Sequence, residues 1–159
     1  MKKSILITGV STGIGYELSK IFASRGYHVF GSVRKQQDAE KLLKEIGSDY
    51  TPLIMDVTQP DEIENAASLV SKALNGKTLT GLINNAGIAT TGALATISME
   101  EYRYQFEVNF FGVVSVIKHF LPLLGTDKAR KGIKGKIINI SSNAGQLGFP
   151  FLGPYCSSK

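Results

Sequence analysis

The sequence predicts a doubly wound α/β fold, a parallel sheet with helices on both faces, from three observations. Short β-rich runs alternate with longer helical patterns along the whole chain. Most of the runs are continuously apolar, as in strands covered on both faces. A Gly-rich turn separates the first run from the first helical pattern, at the carboxyl end of a strand, where such sheets place their ligand sites.

The candidate strands, in order, are Ile5 to Ile7, Val29 to Val33, Leu53 to Met55, Leu82 to Asn84 and Ile137 to Ile140. Helical patterns lie between them at 14–25, 36–46, 60–75 and 99–124. The second pattern has Ala39, Leu42, Leu43 and Ile46 at helical spacing and stops at Gly47. The third opens on Pro60, Asp61 and Glu62: proline is tolerated in a first turn, and acids suit the positive end of the helix dipole. A β-α-β-α order implies right-handed crossovers and hence parallel strands. At 159 residues, 43% hydrophobic and without a linker or repeat, residues 1–159 are expected to form one domain around one core.

Charge and cysteine content narrow the function classes. The net charge is +5, and Lys128, Arg130, Lys131, Lys134 and Lys136 equal the whole excess, so the basicity is local to one solvated loop and no nucleic-acid partner is expected. A lone Cys156 excludes an intrachain disulfide, and one Cys with two His builds no zinc cluster, so no metal is expected. Lys2 and Lys3 precede an apolar run too short for an export signal. The stretch from Phe110 to Leu124 contains Lys118, His119 and Pro122 and falls short of the roughly 20 residues of a bilayer span. The expectation is a cytoplasmic protein with no membrane span.

The strand-to-helix turns carry the chemistry. In Thr8-Gly9-Val10-Ser11-Thr12-Gly13-Ile14-Gly15, Gly9 and Gly13 let the backbone turn sharply near a pyrophosphate. Gly15 lets the helix pack on the strand, and the helix N-terminus offers free N–H donors and positive potential. Ser11, Thr12 and Ile14 share this candidate phosphate site. About 20 residues on, where an NAD-selective site places an acid, the chain has Ser32-Val33-Arg34-Lys35. Arg34 suits a 2′-phosphate, which predicts NADP(H) as the preferred cofactor and NAD(H) as the alternative. Asp56 is either an acceptor for an adenine amino group or a cap for the helix at Pro60, and Val57 offers its backbone N–H. Asn84-Asn85-Ala86-Gly87 suits a strand end, and its paired Asn suggest side-chain bonds between neighbouring strands. Near the C-terminus, Ser141-Ser142 precedes Tyr155 and Lys159, which share a face when four apart on a helix.

Taken together these residues resemble the short-chain dehydrogenase/reductase family in its compact form, whose fold is a Rossmann-like sheet. Thr8-Gly9-x3-Gly13-x-Gly15, Asp56-Val57, Asn84 to Gly87, Asn109 within Phe106-Glu107-Val108-Asn109, Ser142 and Tyr155-x3-Lys159 fall in family order over the whole chain. The wording around Ser142 and Tyr155 is similar to the retinol and hydroxysteroid dehydrogenase branch. The resemblance implies an oxidoreductase that interconverts a ketone or aldehyde with an alcohol by hydride transfer. Cofactor-binding residues would be Gly9, Ser11, Thr12, Gly13, Ile14, Gly15, Arg34, Asp56, Val57, Asn85, Ala86, Gly87, Tyr155 and Lys159. Tyr155 would be the general acid/base; a free Tyr has a pKa of about 10, so it needs a positive neighbour such as Lys159. Ser142, at the family interval of 13 residues before Tyr155, would bond the substrate oxygen, and Asn109 would hold a relay water. Helix 99–124 is similar to the family's subunit-contact helix, implying a homodimer or homotetramer, though burial within one monomer explains the same apolar residues. The family continues well beyond Lys159, which implies a fold truncated after the fifth strand. A nucleotide-binding regulatory or structural module without turnover is the rival reading.

Overall fold

The computed structural model describes residues 2–159. Five parallel strands, β1 (Ser4–Ile7), β2 (His28–Val33), β3 (Tyr50–Ile54), β4 (Gly81–Asn84) and β5 (Lys136–Asn139), form one Rossmann-like sheet in the order β3-β2-β1-β4-β5. The helices are α1 (Gly13–Ser24), α2 (Gln36–Ile46), α3 (Pro60–Leu74), α4 (Met99–Phe106), α5 (Gly112–Phe120) and α6 (Gly153–Ser158). Because β1 pairs with β2 on one side and β4 on the other, the chain reverses direction across the sheet at β1, and a crevice opens at the carboxyl ends there.

Successive strand residues point to opposite faces, and both faces are filled. Leu6, Phe30 and Leu82 join Ile63, Ala66 and Val70 of α3 and Val116 and Phe120 of α5 in one cluster. Ile5, Ile7, Val29 and Ile83 join Ala39 and Leu42 of α2, with Leu18 and Phe22 of α1 packed against them, in the other. Each fully buried Leu or Phe contributes roughly 1.5–3 kcal/mol by leaving water.

Helix boundaries follow the local signals. α2 stops at Gly47, whose φ of +76° only a residue without Cβ adopts freely. α3 carries Pro60 in its first turn and ends at Asn75 in the left-handed region. α4 starts with a capping box, in which Ser98 Oγ accepts from Glu101 N while Ser98 N donates to the Glu101 carboxylate. Residues 99–124 form one helical path, broken by a π-turn at Glu107–Phe111 and tightened to a 3-10 turn at Leu121–Leu124. By length and composition this path could cross a membrane. Here Val108, Val116, Phe120, Leu123 and Leu124 belong to the core beside the sheet.

Two expectations require correction. The outer strands are not covered on both faces by the described residues: every residue of β5, which pairs with β4 alone among them, is exposed, and Ile54 of β3 is 47% exposed. The basic loop is not wholly solvated either. Arg130 turns inward to donate from Nη1 to Lys77 O (3.0 Å) and from Nη2 to Ser71 Oγ, anchoring the loop.

Candidate active site

The crevice at the switch point is built by side chains that continue the sheet after its ladder ends. Thr8, buried at the end of β1, accepts at Oγ1 from the backbone N–H groups of Asn85 and Ala86, both at 3.0 Å. Asn85 Nδ2 donates back to Thr8 O (2.9 Å) and Gly9 O (2.8 Å). Asn84 reaches the other way, donating from Nδ2 to Asn139 Oδ1 of β5 (2.8 Å). The two adjacent Asn therefore do tie neighbouring strands, one in each direction.

The Gly-rich loop is held against this frame. Gly9 has φ +68°, and a Cβ there would lie 2.8 Å from Ala86 Cα. A Cβ on Gly15 would collide with Asn85 Nδ2 and Gly9 O. Gly13 is also left-handed at φ +62°, with open space around it. Ser32, at the end of β2, accepts from Gly9 N at Oγ (3.0 Å) and from Val10 N at its carbonyl (2.9 Å). No side chain caps α1 at Thr12, which leaves the first-turn N–H groups of the helix without internal partners.

A cavity of about 430 Å³ runs along the carboxyl ends of the strands. Of the residues singled out by sequence, Gly9, Ser11, Thr12, Ile14, Arg34, Asp56, Val57, Asn85, Ala86, Gly87, Tyr155 and Lys159 all line it. Gly13 and Gly15 stand in the same loop and helix start but not on the wall. Arg34 is exposed and has no ion pair among the described residues. Asp56 does not cap α3, whose N-cap is Gln59. Its Oδ1 instead accepts from Thr58 N (2.9 Å) and Thr58 Oγ1 (2.8 Å) in a tight turn upstream.

At the far end of the cavity, α6 presents Tyr155, and Lys159 follows directly after its last residue. Lys159 Nζ lies 5.8 Å from the Tyr155 ring centroid and donates to Ile140 O (3.3 Å). A Cβ on Gly87 would sit 3.1 Å from Lys159 Nζ and 3.2 Å from Asn109 Oδ1, so the bare glycine lets these two groups converge. Asn109 lies buried behind the wall at the π-turn. Its Oδ1 accepts from Ile88 N (2.9 Å), and its Nδ2 donates to Ile88 O and Ser158 Oγ (3.0 Å each). Ser142 does not line the cavity: its Oγ accepts from Ala144 N (3.2 Å), capping a 3-10 turn at Asn143–Gly145. Ser141 lines the cavity, and its Oγ donates to Lys159 O (3.1 Å).

The sequence-predicted site omits Ser32, Val33, Met55, Ile88, Ala89, Val108 and Ile140 from the wall, and it prefers Ser142 to Ser141, which lines it. Ser32 had a usable signal as a polar residue inside an apolar strand. Ile88 and Val108 had none, since apolar residues beside a site read as core.

A parallel α/β sheet with a glycine-rich crevice at its switch point defines the doubly wound class, whose ligand sites lie at the carboxyl ends of the strands. The chain belongs to the short chain dehydrogenase family, which it matches over residues 3–159. It is 41% identical over 154 residues to the NADPH-dependent 3-dehydrocapnine reductase of Ornithobacterium rhinotracheale, covering 97% of this chain and 54% of that protein. It is 36% identical over 163 residues to the mitochondrial D-beta-hydroxybutyrate dehydrogenase of Mus musculus, covering 99% and 46%. A solved actinorhodin polyketide ketoreductase variant with NADPH superposes at a TM-score of 0.89 and 30% identity, covering 99% of this chain and 59% of that one. The chain spans about half the length of the curated relatives it matches.

Proposed function

We propose that this chain binds NADP(H) and carries the acid/base group of a ketone or aldehyde to alcohol interconversion. The observation that carries the reading is one cavity joining the Gly-rich loop, Arg34 and the Tyr155–Lys159 pair. The residues fit the nucleotide: a loop whose Gly9 closes tightly on Ala86 at the cavity wall, uncapped N–H groups at α1, and a guanidinium without a carboxylate partner among the described residues. The NADPH-dependent relative and the NADPH-bound structural neighbour support the same cofactor.

Ser11, Thr12, Ile14 and the first-turn amides of α1 would hold the pyrophosphate, Arg34 the 2′-phosphate, and Asp56 with Val57 the adenine. The cofactor supplies the hydride when bound. Tyr155 gives its hydroxyl proton to the nascent alkoxide in reduction, or removes the alcohol proton in oxidation. Lys159 places its ammonium beside the ring, where positive charge stabilises the phenolate that results. Asn109 fixes the wall behind Lys159, and a relay water beside it is part of the proposal. Ser142 is the proposed donor to the substrate oxygen, with Ser141 the competing hydroxyl because it is the one on the cavity wall. The branch wording supports a hydrophobic ketone or secondary alcohol as substrate. The exposed Phe110 and Phe111 support assembly as a homodimer or homotetramer, which a monomeric mass by light scattering would reject.

The test is titration of the full-length protein with NADPH and NADH followed by nucleotide fluorescence, together with Tyr155→Phe. The variant should lose kcat by orders of magnitude and keep its NADPH affinity. Wild-type turnover in Tyr155→Phe would overturn the acid/base role. NADPH binding without oxidation by any of a carbonyl panel would favour the regulatory-module reading.

A further inference from the structure

Gln105 is fully buried, yet no reaction step uses it. It sits in the last turn of α4, four residues before Asn109, with the start of the π-turn between them. Its Oε1 accepts from Thr90 N (2.6 Å) and its Nε2 donates to Ile88 O (2.7 Å). Asn109 takes Ile88 N and shares Ile88 O. Two side-chain amides on one helical path thus bond residues 88–90 as a neighbouring strand would, although this segment belongs to no strand. Ile88 and Ala89 form the cavity wall beside Tyr155 and Lys159. The same segment continues to Gly92, whose N–H donates to Phe151 O (2.9 Å), two residues before α6 begins. Phe151 has φ +61°, a strained conformation for a residue with a side chain, so the approach to α6 requires an external restraint.

We propose that Gln105 is a positioning residue whose two amide bonds to Ile88 and Thr90 fix the cavity wall and, through Gly92 and Phe151, the approach to the Tyr155–Lys159 helix. A polar side chain of this size is costly to bury unless both ends of its amide are matched, and here both are matched to the loop that needs holding. A Leu at 105 would fill the volume and leave Thr90 N and Ile88 O short of a partner, loosening the loop while sparing the sheet. A Glu at 105 keeps the acceptor for Thr90 N, but donates to Ile88 O only when protonated.

The cofactor consequence rests on the NADP(H) reading, so the test has a readout independent of it. In the full-length protein, Gln105→Leu should speed amide exchange at residues 88–92 and leave β1 and β2 unchanged. It should also raise the NADPH Kd by about tenfold, because the loosened wall must then be ordered on binding. For Gln105→Glu, the ratio of its Kd to the wild-type value at the same pH should shrink as pH falls, because protonation restores the donor. If Gln105→Leu fails to fold, Gln105→Glu carries both measurements. Unchanged exchange at 88–92, or equal acceleration across the sheet, would overturn the proposal. Faster exchange at 88–92 in a protein whose wild type binds no NADPH would uphold the clamp and overturn the nucleotide reading.

Discussion

Gly9 and Gly13 are both left-handed, but only Gly9 is crowded, and this difference makes a sharp stability test. Placing an L side chain in that backbone region costs roughly 1–2 kcal/mol at either position. Alanine also narrows the unfolded ensemble, which offsets about 0.4–1 kcal/mol of that cost. Gly13→Ala, with nothing within 4 Å of its new Cβ, should therefore lose no more than about 1.5 kcal/mol. Gly9→Ala adds a Cβ 2.8 Å from Ala86 Cα, a backbone atom whose segment Thr8 and Asn85 fasten in place. The neighbour cannot rotate away, so an overpacking cost of about 1–3 kcal/mol is added, for a total of roughly 1–4.5 kcal/mol. At about 2–4 °C per kcal/mol for a domain of this size, Gly13→Ala should melt no more than about 6 °C below wild type, and Gly9→Ala roughly 2–12 °C below Gly13→Ala. Urea denaturation and thermal melts of both variants beside wild type check this. Equal losses, or a larger loss at Gly13, would show that the close approach of the two loops contributes nothing.

Two further outcomes are expected. Burial holds the His28 imidazole below its ordinary pKa, with Asp49 opposing the shift and Lys2 adding to it. The unfolded chain therefore takes up the proton first: stability from this group is intact above about pH 6.5 and is lost as pH falls through the lower native value. The urea midpoint should consequently fall more between pH 7.5 and 5.5 in wild type than in His28→Gln, and identical falls would remove His28 as the cause. Arg34→Ala should weaken NADPH by about 10- to 100-fold, the worth of a charge-assisted bond of roughly 1.5–3 kcal/mol, and leave NADH unchanged. Parallel titrations check it, and equal loss for both nucleotides would refute a 2′-phosphate contact.

The central strands and the flanking helices were legible through local signals and their order along the chain. Pro60 marks the start of α3 and Gly47 the end of α2, and the short apolar runs of β1, β2 and β4 are placed by their alternation with these helices. The apolar run Leu53 to Met55 marks only the end of the strand that the structure places at Tyr50–Ile54, which has Pro52 at its centre. A proline is tolerated there because β3 is a sheet edge, and edge position is decided by the whole topology. The Ser98–Glu101 capping box carries its own signal in the spacing Ser-x-x-Glu. The π-turn at Asn109 was not available: an apolar pattern with one inserted residue still reads as helix, and only packing against Ile88 gives Asn109 its place. Between Ser141 and Ser142 the resemblance favours Ser142 by its interval to Tyr155, whereas the strand pattern alone does not decide which hydroxyl faces the cavity. Adjacent residues leaving a strand point to opposite sides, and where the strand ends is a boundary that letters fix only to within a residue or two.

The site's deepest requirement is spatial. Parallel strands that bind a ligand at their switch point must part there, which would strand backbone N–H and carbonyl groups that the ladder no longer serves. The β1–β4 ladder ends with Thr8 N donating to Ile83 O (3.0 Å). From that point Thr8, Asn85, Ser32, Gln105 and Asn109 each bond backbone of the loops around the crevice. These side chains replace the ladder with bonds that reach around the cavity instead of across it. The polar residues in apolar surroundings here are thus the means by which the crevice stays open without leaving its walls unpaired. The same logic makes the wall at Ile88, held by two amides and no strand, the part of the cavity that responds most to a single substitution behind it.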